Sequence, residues 1–302
     1  MLTFDHYHTP ADLGGAFDVL ERVPLARLIA GATDLLPWAR EGRAGDVHLT
    51  GLVDVSRIAA LHGISMDKGR IRIGAATPIA AFQNDPLLRH EAPILARCAA
   101  WFADDQIREQ ATVGGNLVNA SPAGDTQPAL LALNTHVTLV RREGGRILER
   151  SLPLSSFITG PSRTLLRPNE IMLALDFDAV PQHGVAFEKV GHRRSLVIST
   201  VCLAAAVRLD AQDRFDDVRL AIGAVGPVPE RLADIEDLLT GRAPTGALLR
   251  EAAALAVDRV RSRSRQQYRR EVLVNFVERG LSAALAHAGL QVQRLPKEYC
   301  DV

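Results

Sequence analysis

The chain has 302 residues, 35 basic and 35 acidic side chains, and 47% hydrophobic residues. That length holds two domains or three and buries several cores, and ordinary hydrophobicity at zero net charge excludes a disordered chain. The even balance also argues against a dedicated nucleic-acid binder, which carries a basic surplus.

In chain order, Thr9-Pro10 has the form of a helix N-cap with proline at the first helical position. Leu13, Ala16, Phe17 and Leu20 then recur on one helical face. Residues 28–30 form a short apolar run into Gly31, a strand feeding a tight turn. Residues 46–55 read as a second strand, with Val47, Leu49, Val53 and Val55 on one side. This is a small α/β unit. Residues 71–75 read as a strand, Thr77-Pro78 as another helix start, and residues 86–103 as one helix. A glycine-rich turn at 113–117 precedes a helix at 125–133. Residues 137–142 and 147–152 form a hairpin around Glu143-Gly144-Gly145. A loop at 157–163 leads into a strand at 171–177. The last segment begins after Val180-Pro181. Residues 201–209 and 218–225 read as strands, residues 231–239 as a helix stopped at Thr240-Gly241, and two further helical stripes follow at 248–260 and 272–285. Strands followed by helices predict an α+β domain with helices on one face of an antiparallel sheet.

Cys98, Cys202 and Cys300 lie far apart. Three scattered thiols supply neither a disulfide framework, nor a four-thiolate iron–sulfur cluster, nor a cysteine-rich zinc site, and they fit a reducing compartment. The N-terminus has no basic stretch followed by an apolar one, and the apolar windows 201–207 and 248–257 are too short to span a bilayer. The expectation is a cytoplasmic chain without a membrane span.

Two small-residue turns carry the chemistry. The first is Ile29-Ala30-Gly31-Ala32-Thr33-Asp34-Leu35-Leu36, directly after a strand. Glycine admits close approach of a ligand to backbone, and successive N–H groups in such a turn can hold a pyrophosphate. The same residues also suit an ordinary strand-to-helix turn capped by Thr33 or Asp34. The second is Thr112-Val113-Gly114-Gly115-Asn116, continuing to Ser121 and Asp125, whose side chains suit hydroxyl groups of a ribityl chain or ribose. It also suits a Gly-Gly hairpin followed by an aspartate N-cap. Neither turn has the G-x-G-x-x-G or G-K-S/T pattern of the common dinucleotide and nucleoside-triphosphate folds.

The chain resembles the FAD-binding subunits of the molybdenum hydroxylases, the group of carbon monoxide dehydrogenase medium subunits and xanthine dehydrogenase flavin domains. Residues 4–10 resemble the family's opening. Residues 30–35 resemble its first flavin loop, A-G-G-T-D/N-L, with Ala32 in place of the second glycine. Residues 112–116 match the second loop, T-I/V-G-G-N, and residues 120–125 match A-S-P-x-x-D. Residues 157–164 with 168–171 resemble a third patch, and Phe187-Glu188-Lys189 and Tyr268-Arg269-Arg270 resemble features of the C-terminal domain.

The resemblance implies an α+β chain. Residues 1–56 and 57–178 would be the two subdomains of a vanillyl-alcohol-oxidase (PCMH) type FAD-binding fold, and 179–302 a C-terminal flavoprotein domain. It implies that residues 29–36 and 112–116 wrap the FAD pyrophosphate with backbone N–H groups. Ser121 and Asp125 would lie near the pyrophosphate and ribityl chain, Phe102 near the flavin, and Met172 and Lys189 along the adenine or the isoalloxazine edge. It implies no catalytic side chain and no metal ligand here. Molybdopterin and [2Fe-2S] clusters would reside on a large and a small partner subunit, in a dimer of heterotrimers. FAD would pass their electrons to an acceptor that the resemblance leaves open. The alternative is a stand-alone FAD-dependent oxidase of the same fold. The arginines at 259, 261, 263, 265, 269 and 270 are read as subunit or helix-end contacts rather than a nucleic-acid surface, and Arg265 stands where the family has a serine.

Overall fold

The structure is a computed structural model that describes residues 2–40, 47–193, 197–262 and 264–290. Arg263 and Cys300 lie outside the described residues.

The first sheet is parallel, in the order β1-β3-β2. Its elements are β1 (Leu2–His8), α1 (Leu13–Arg22), β2 (Arg27–Ile29), α2 (Leu35–Arg40) and β3 (Val47–Asp54). The expected face of α1 is the one that packs: Ala16 and Phe17 are buried, with Leu13 and Leu20 against them. The cap lies three residues later than Thr9, because Asp12 Oδ1 accepts from the Gly15 N–H at 2.8 Å. β1 was not expected as a strand. Most of its side chains are exposed, so no apolar alternation marks it in the sequence.

The second unit begins with β4 (Ile64–Asp67) and β5 (Arg70–Gly74). Six helices follow: α3 (Ala81–Asn84), α4 (Pro86–Glu91), α5 (Pro93–Trp101), α6 (Asp105–Gln110), α7 (Val113–Asn119) and α8 (Thr126–Ala132). Then come β6 (His136–Glu143), β7 (Arg146–Pro153), α9 (Leu154–Phe157), β8 (Ile158–Gly160), β9 (Arg163–Thr164) and β10 (Glu170–Asp178). The sheet runs β4-β5-β10-β6-β7, with every pairing antiparallel. Four expectations change here. The helix at 86–103 is two helices, because Pro93 has no N–H to give and starts a new one. Thr77-Pro78 caps no helix; Pro78 bridges to Thr112 instead. The glycine-rich turn at 113–117 is the opening of α7. The loop at 157–163 is largely a small hairpin, β8 with β9.

The third sheet is antiparallel: β11 (Gly184–Val190), β12 (Val201–Leu209), β13 (Phe215–Gly223) and β14 (Glu230–Arg231). The helices α10 (Ala233–Leu239), α11 (Gly246–Leu255) and α12 (Gln266–His287) share a core with one face. Cys202, Ala204, Ala206 and Ala221 on the other face join the core of the second unit. Among the described residues, no helix is long and apolar enough to cross a membrane.

The expected arginine cluster is largely spent inside the chain. Arg259 pairs with Glu230 and Asp234, Arg261 with Glu230, and Arg265 bonds the His192 ring. Arg265 is also the N-cap of α12, at φ 51 and with no side-chain cap hydrogen bond.

Candidate functional site

The chain leaves the first sheet where the Val55 N–H donates to the Ile29 carbonyl at 2.9 Å. Gly31 then lies against the backbone of 110–111: a Cβ at Gly31 would stand 1.8 Å from the Gln110 carbonyl oxygen. Two loops 79 residues apart thus touch through a missing side chain. A second tie runs from Asn119 Nδ2, which donates to Asp34 Oδ2 at 3.0 Å. Burial pushes the Asp34 carboxyl above its ordinary value. The N–H groups of Gly31, Ala32, Thr33 and Asp34 have no hydrogen-bond partner among the described residues. A run of unpaired backbone donors suits an anion. Ala32 holds φ 53, a conformation that costs an L-residue about 1–2 kcal/mol and glycine little. Ala32→Gly is therefore expected to raise stability, by about 0.5–1 kcal/mol after the entropy that glycine adds to the unfolded chain. Thermal unfolding checks it; an unchanged or lower midpoint contradicts the strain.

The second loop is organised differently from the expectation. Thr112 caps α7, and its Oγ1 accepts from the Gly115 N–H at 3.2 Å. The Val113 N–H donates to the Thr77 carbonyl and the Gly114 N–H to the Ala75 carbonyl. The Asn116 N–H donates to the Thr112 carbonyl. These donors are taken, so residues 113–116 offer no open row of N–H groups comparable with the first loop. Gly114 serves packing, since a Cβ there would meet Ala75 Cβ at 2.6 Å. Gly115 is exposed, and a Cβ there would meet only the Thr112 hydroxyl within 4 Å. The Asn116 side-chain oxygen, Oδ1, accepts from Thr126 Oγ1 at 2.6 Å. Ala120, at φ 48, ends α7, and its carbonyl accepts from Ser162 in the β8–β9 hairpin at 3.0 Å. That brings the third sequence patch to the same place. The Ser121 hydroxyl accepts from the Ala123 N–H.

Asp125 and Lys189 turn to each other. Lys189 Nζ donates to Asp125 Oδ2 at 2.6 Å and to the Trp101 carbonyl at 2.9 Å. Ser199 Oγ donates to Asp125 Oδ1 at 2.5 Å. Both charged side chains are more than nine-tenths buried. Burial pushes the Asp125 carboxyl up, while the Lys189 ammonium and Ser199 hydroxyl pull against it. The pair ties the start of α8 to β11. Cys98 and Cys202 are buried thiols beside this pair, and burial pushes both well above the ordinary thiol range.

The remaining expectations separate. Met172 sits in the core of the second unit, 5% exposed, because its side of β10 faces the helices. Phe102 also joins that core, 9% exposed, at the end of α5. The neighbouring Trp101 is the exposed aromatic, and Ile198, next to Ser199, is 70% exposed. Both flank the Asp125–Lys189 pair and neither was anticipated; a tryptophan beside the chosen phenylalanine was the signal available. Asn119 was missed as the tie to Asp34, and so was Gln127. That residue is fully buried beside Gly124, with neither amide atom partnered among the described residues.

A row of open donors, an exposed glycine at a helix start and two loops held in contact suit an anionic ligand such as a phosphate. Residues 2–177 match the FAD binding domain in molybdopterin dehydrogenase, and residues 186–284 match the CO dehydrogenase flavoprotein C-terminal domain. The chain is 31% identical to the putative xanthine dehydrogenase FAD-binding subunit of Escherichia coli K12, over 97% of this chain and 100% of the relative. It is 29% identical to the carbon monoxide dehydrogenase medium chain of Hydrogenophaga pseudoflava, over 93% and 96%. The solved carbon monoxide dehydrogenase from that organism superposes with a TM-score of 0.86 at 27% identity, covering 94% of this chain and 98% of that one. The chain belongs to the FAD-binding subunits of the molybdenum hydroxylases, a family of oxidoreductases.

Proposed function

We propose that this chain is the electron-transfer subunit of a molybdenum hydroxylase. In this reading it takes electrons from [2Fe-2S] clusters on a small partner subunit and passes them to an external acceptor, while a large partner subunit carries molybdopterin. The observation that carries the reading is the open N–H row at Gly31–Asp34, held against the 110–111 backbone. FAD, when bound, supplies exchange between two-electron and one-electron chemistry. This chain's residues bind and orient it. The first loop would receive the pyrophosphate, with Gly115 leaving the approach clear. Asp125 and Lys189 would act chiefly by fixing the Ser121–Asp125 segment, since each spends its charge on the other. Trp101 and Ile198 would offer apolar surface to the ring system. Two buried free thiols, Cys98 and Cys202, fit a reducing cytoplasm. A dimer of heterotrimers is the assembly this reading favours.

An absorption spectrum of the purified chain tests the cofactor. Flavin bands are expected in the wild type, and Gly115→Val is expected to keep the fold and lose flavin, because a branched side chain would displace the Thr112 cap and fill the open approach. A colourless wild-type chain that takes up no added FAD overturns the reading. Co-purification tests the partners: iron and molybdenum in the complex support electron relay, whereas turnover of an organic substrate by the chain alone supports a stand-alone oxidase.

A further inference from the structure

The arginine at 269 has contacts unlike those of its neighbours. Arg259 and Arg261 face carboxylates, but no carboxylate reaches Arg269 among the described residues. Its guanidinium is bonded to three backbone carbonyls. Nε donates to the Ser264 carbonyl at 3.0 Å. A single nitrogen, Nη1, donates to both the Thr200 carbonyl and the Ala224 carbonyl.

Those last two carbonyls belong to separate segments, and each segment leads to the same place. Thr200 follows Ser199, whose hydroxyl donates to Asp125 Oδ1 at 2.5 Å. The Thr200 N–H donates to the Val190 carbonyl at 2.7 Å, one residue from Lys189, which holds the other Asp125 oxygen. Ala224 donates its N–H to the Pro122 carbonyl at 2.9 Å. Ala224 also sits at φ 66, a strained conformation for alanine, held from both of its backbone polar groups. One cation thus braces both ends of the Ser121–Asp125 segment from the first turns of α12.

We propose that Arg269 is a positioning residue for the flavin-binding segment Ser121–Asp125, acting through the carbonyls of Thr200 and Ala224. The proposal rests on the FAD-binding reading above. Its rival is a purely structural role, in which Arg269 secures the start of α12 through Ser264, where Arg265 provides no cap.

The full-length chain, stripped of flavin and titrated with FAD, distinguishes them. Arg269→Met removes all donors and is expected to weaken FAD binding about tenfold to a hundredfold, the scale of losing buried charge-assisted hydrogen bonds, and to alter the visible circular dichroism of bound FAD. Arg269→Lys keeps one nitrogen for the Thr200 and Ala224 carbonyls, loses Ser264, and is expected to restore most of the affinity and the wild-type spectrum. Ser199→Ala cuts one of the two routes without touching α12 and is expected to weaken FAD in the same direction. Wild-type affinity in Arg269→Met or Ser199→Ala overturns the proposal. So do equal losses in the lysine and methionine variants that track their thermal midpoints. A wild-type chain that binds no FAD is a different failure, one of the functional reading itself.

Discussion

Gly31→Ala is expected to lower stability and empty the flavin site together. The added Cβ would lie 1.8 Å from the Gln110 carbonyl oxygen and 2.6 Å from its carbon. Both are backbone atoms, so no rotamer change relieves the contact. Overpacking typically costs about 1–3 kcal/mol, and a backbone-on-backbone clash belongs at the upper end or beyond. The first loop must move off the 110–111 segment, which also strains the Asn119–Asp34 hydrogen bond and scatters the N–H row. Thermal unfolding and the ratio of flavin to protein absorbance report both effects. An alanine variant with wild-type midpoint and full flavin content contradicts the contact between the two loops.

Lys189→Met is expected to destabilise the protein by about 3–5 kcal/mol, the usual result of leaving one partner of a buried ion pair behind. The side chain is nearly inaccessible and its ammonium is the only cation on Asp125 among the described residues. Only the Ser199 hydroxyl then opposes burial at Asp125, so its folded pKa rises further above the unfolded one. The folded state binds the proton more tightly, and stability of the variant falls as pH rises from about 4 through the raised value. Its deficit against wild type is therefore smallest in acid and grows toward neutrality. Adding Asp125→Asn should recover part of the loss at neutral pH. Denaturant titrations across pH check this; a pH-independent deficit contradicts a lone buried carboxylate.

The site was legible where composition alone marks a loop. Gly31, Gly114 and Gly115 stand in small-residue runs that few other structures need. What each glycine does was not legible. Gly31 and Gly114 are fixed by Gln110 and Ala75, partners that no local pattern names. The glycine-rich turn expected at 113–117 is the start of a helix because Thr112 takes the Gly115 N–H, which offsets the poor helix propensity of two adjacent glycines. The resemblance sets Asp125 and Lys189 separately beside the flavin, and their pairing is not readable from it: they are 64 positions apart, and the packing of the third sheet on the second unit brings them together. In the fold, the buried face of α1 repeats with helical period and was readable. β1 is exposed along most of its length, and β11 is buried on both faces, so neither shows the alternation that identifies a strand.

The contacts that complete the cradle also set a timetable for its synthesis. A ribosome delivers Gly31 long before Gln110, Asp125 before Lys189, and Arg269 near the end. Domains generally fold as units while the chain emerges, N-terminal ones first. The donor row at 31–34 therefore waits without its wall, and the carboxylate of Asp125 without its cation. Completion of this arrangement belongs to the end of translation, and a nascent chain interrupted before residue 189 carries both small-residue loops yet lacks the ammonium that faces the buried carboxylate of Asp125.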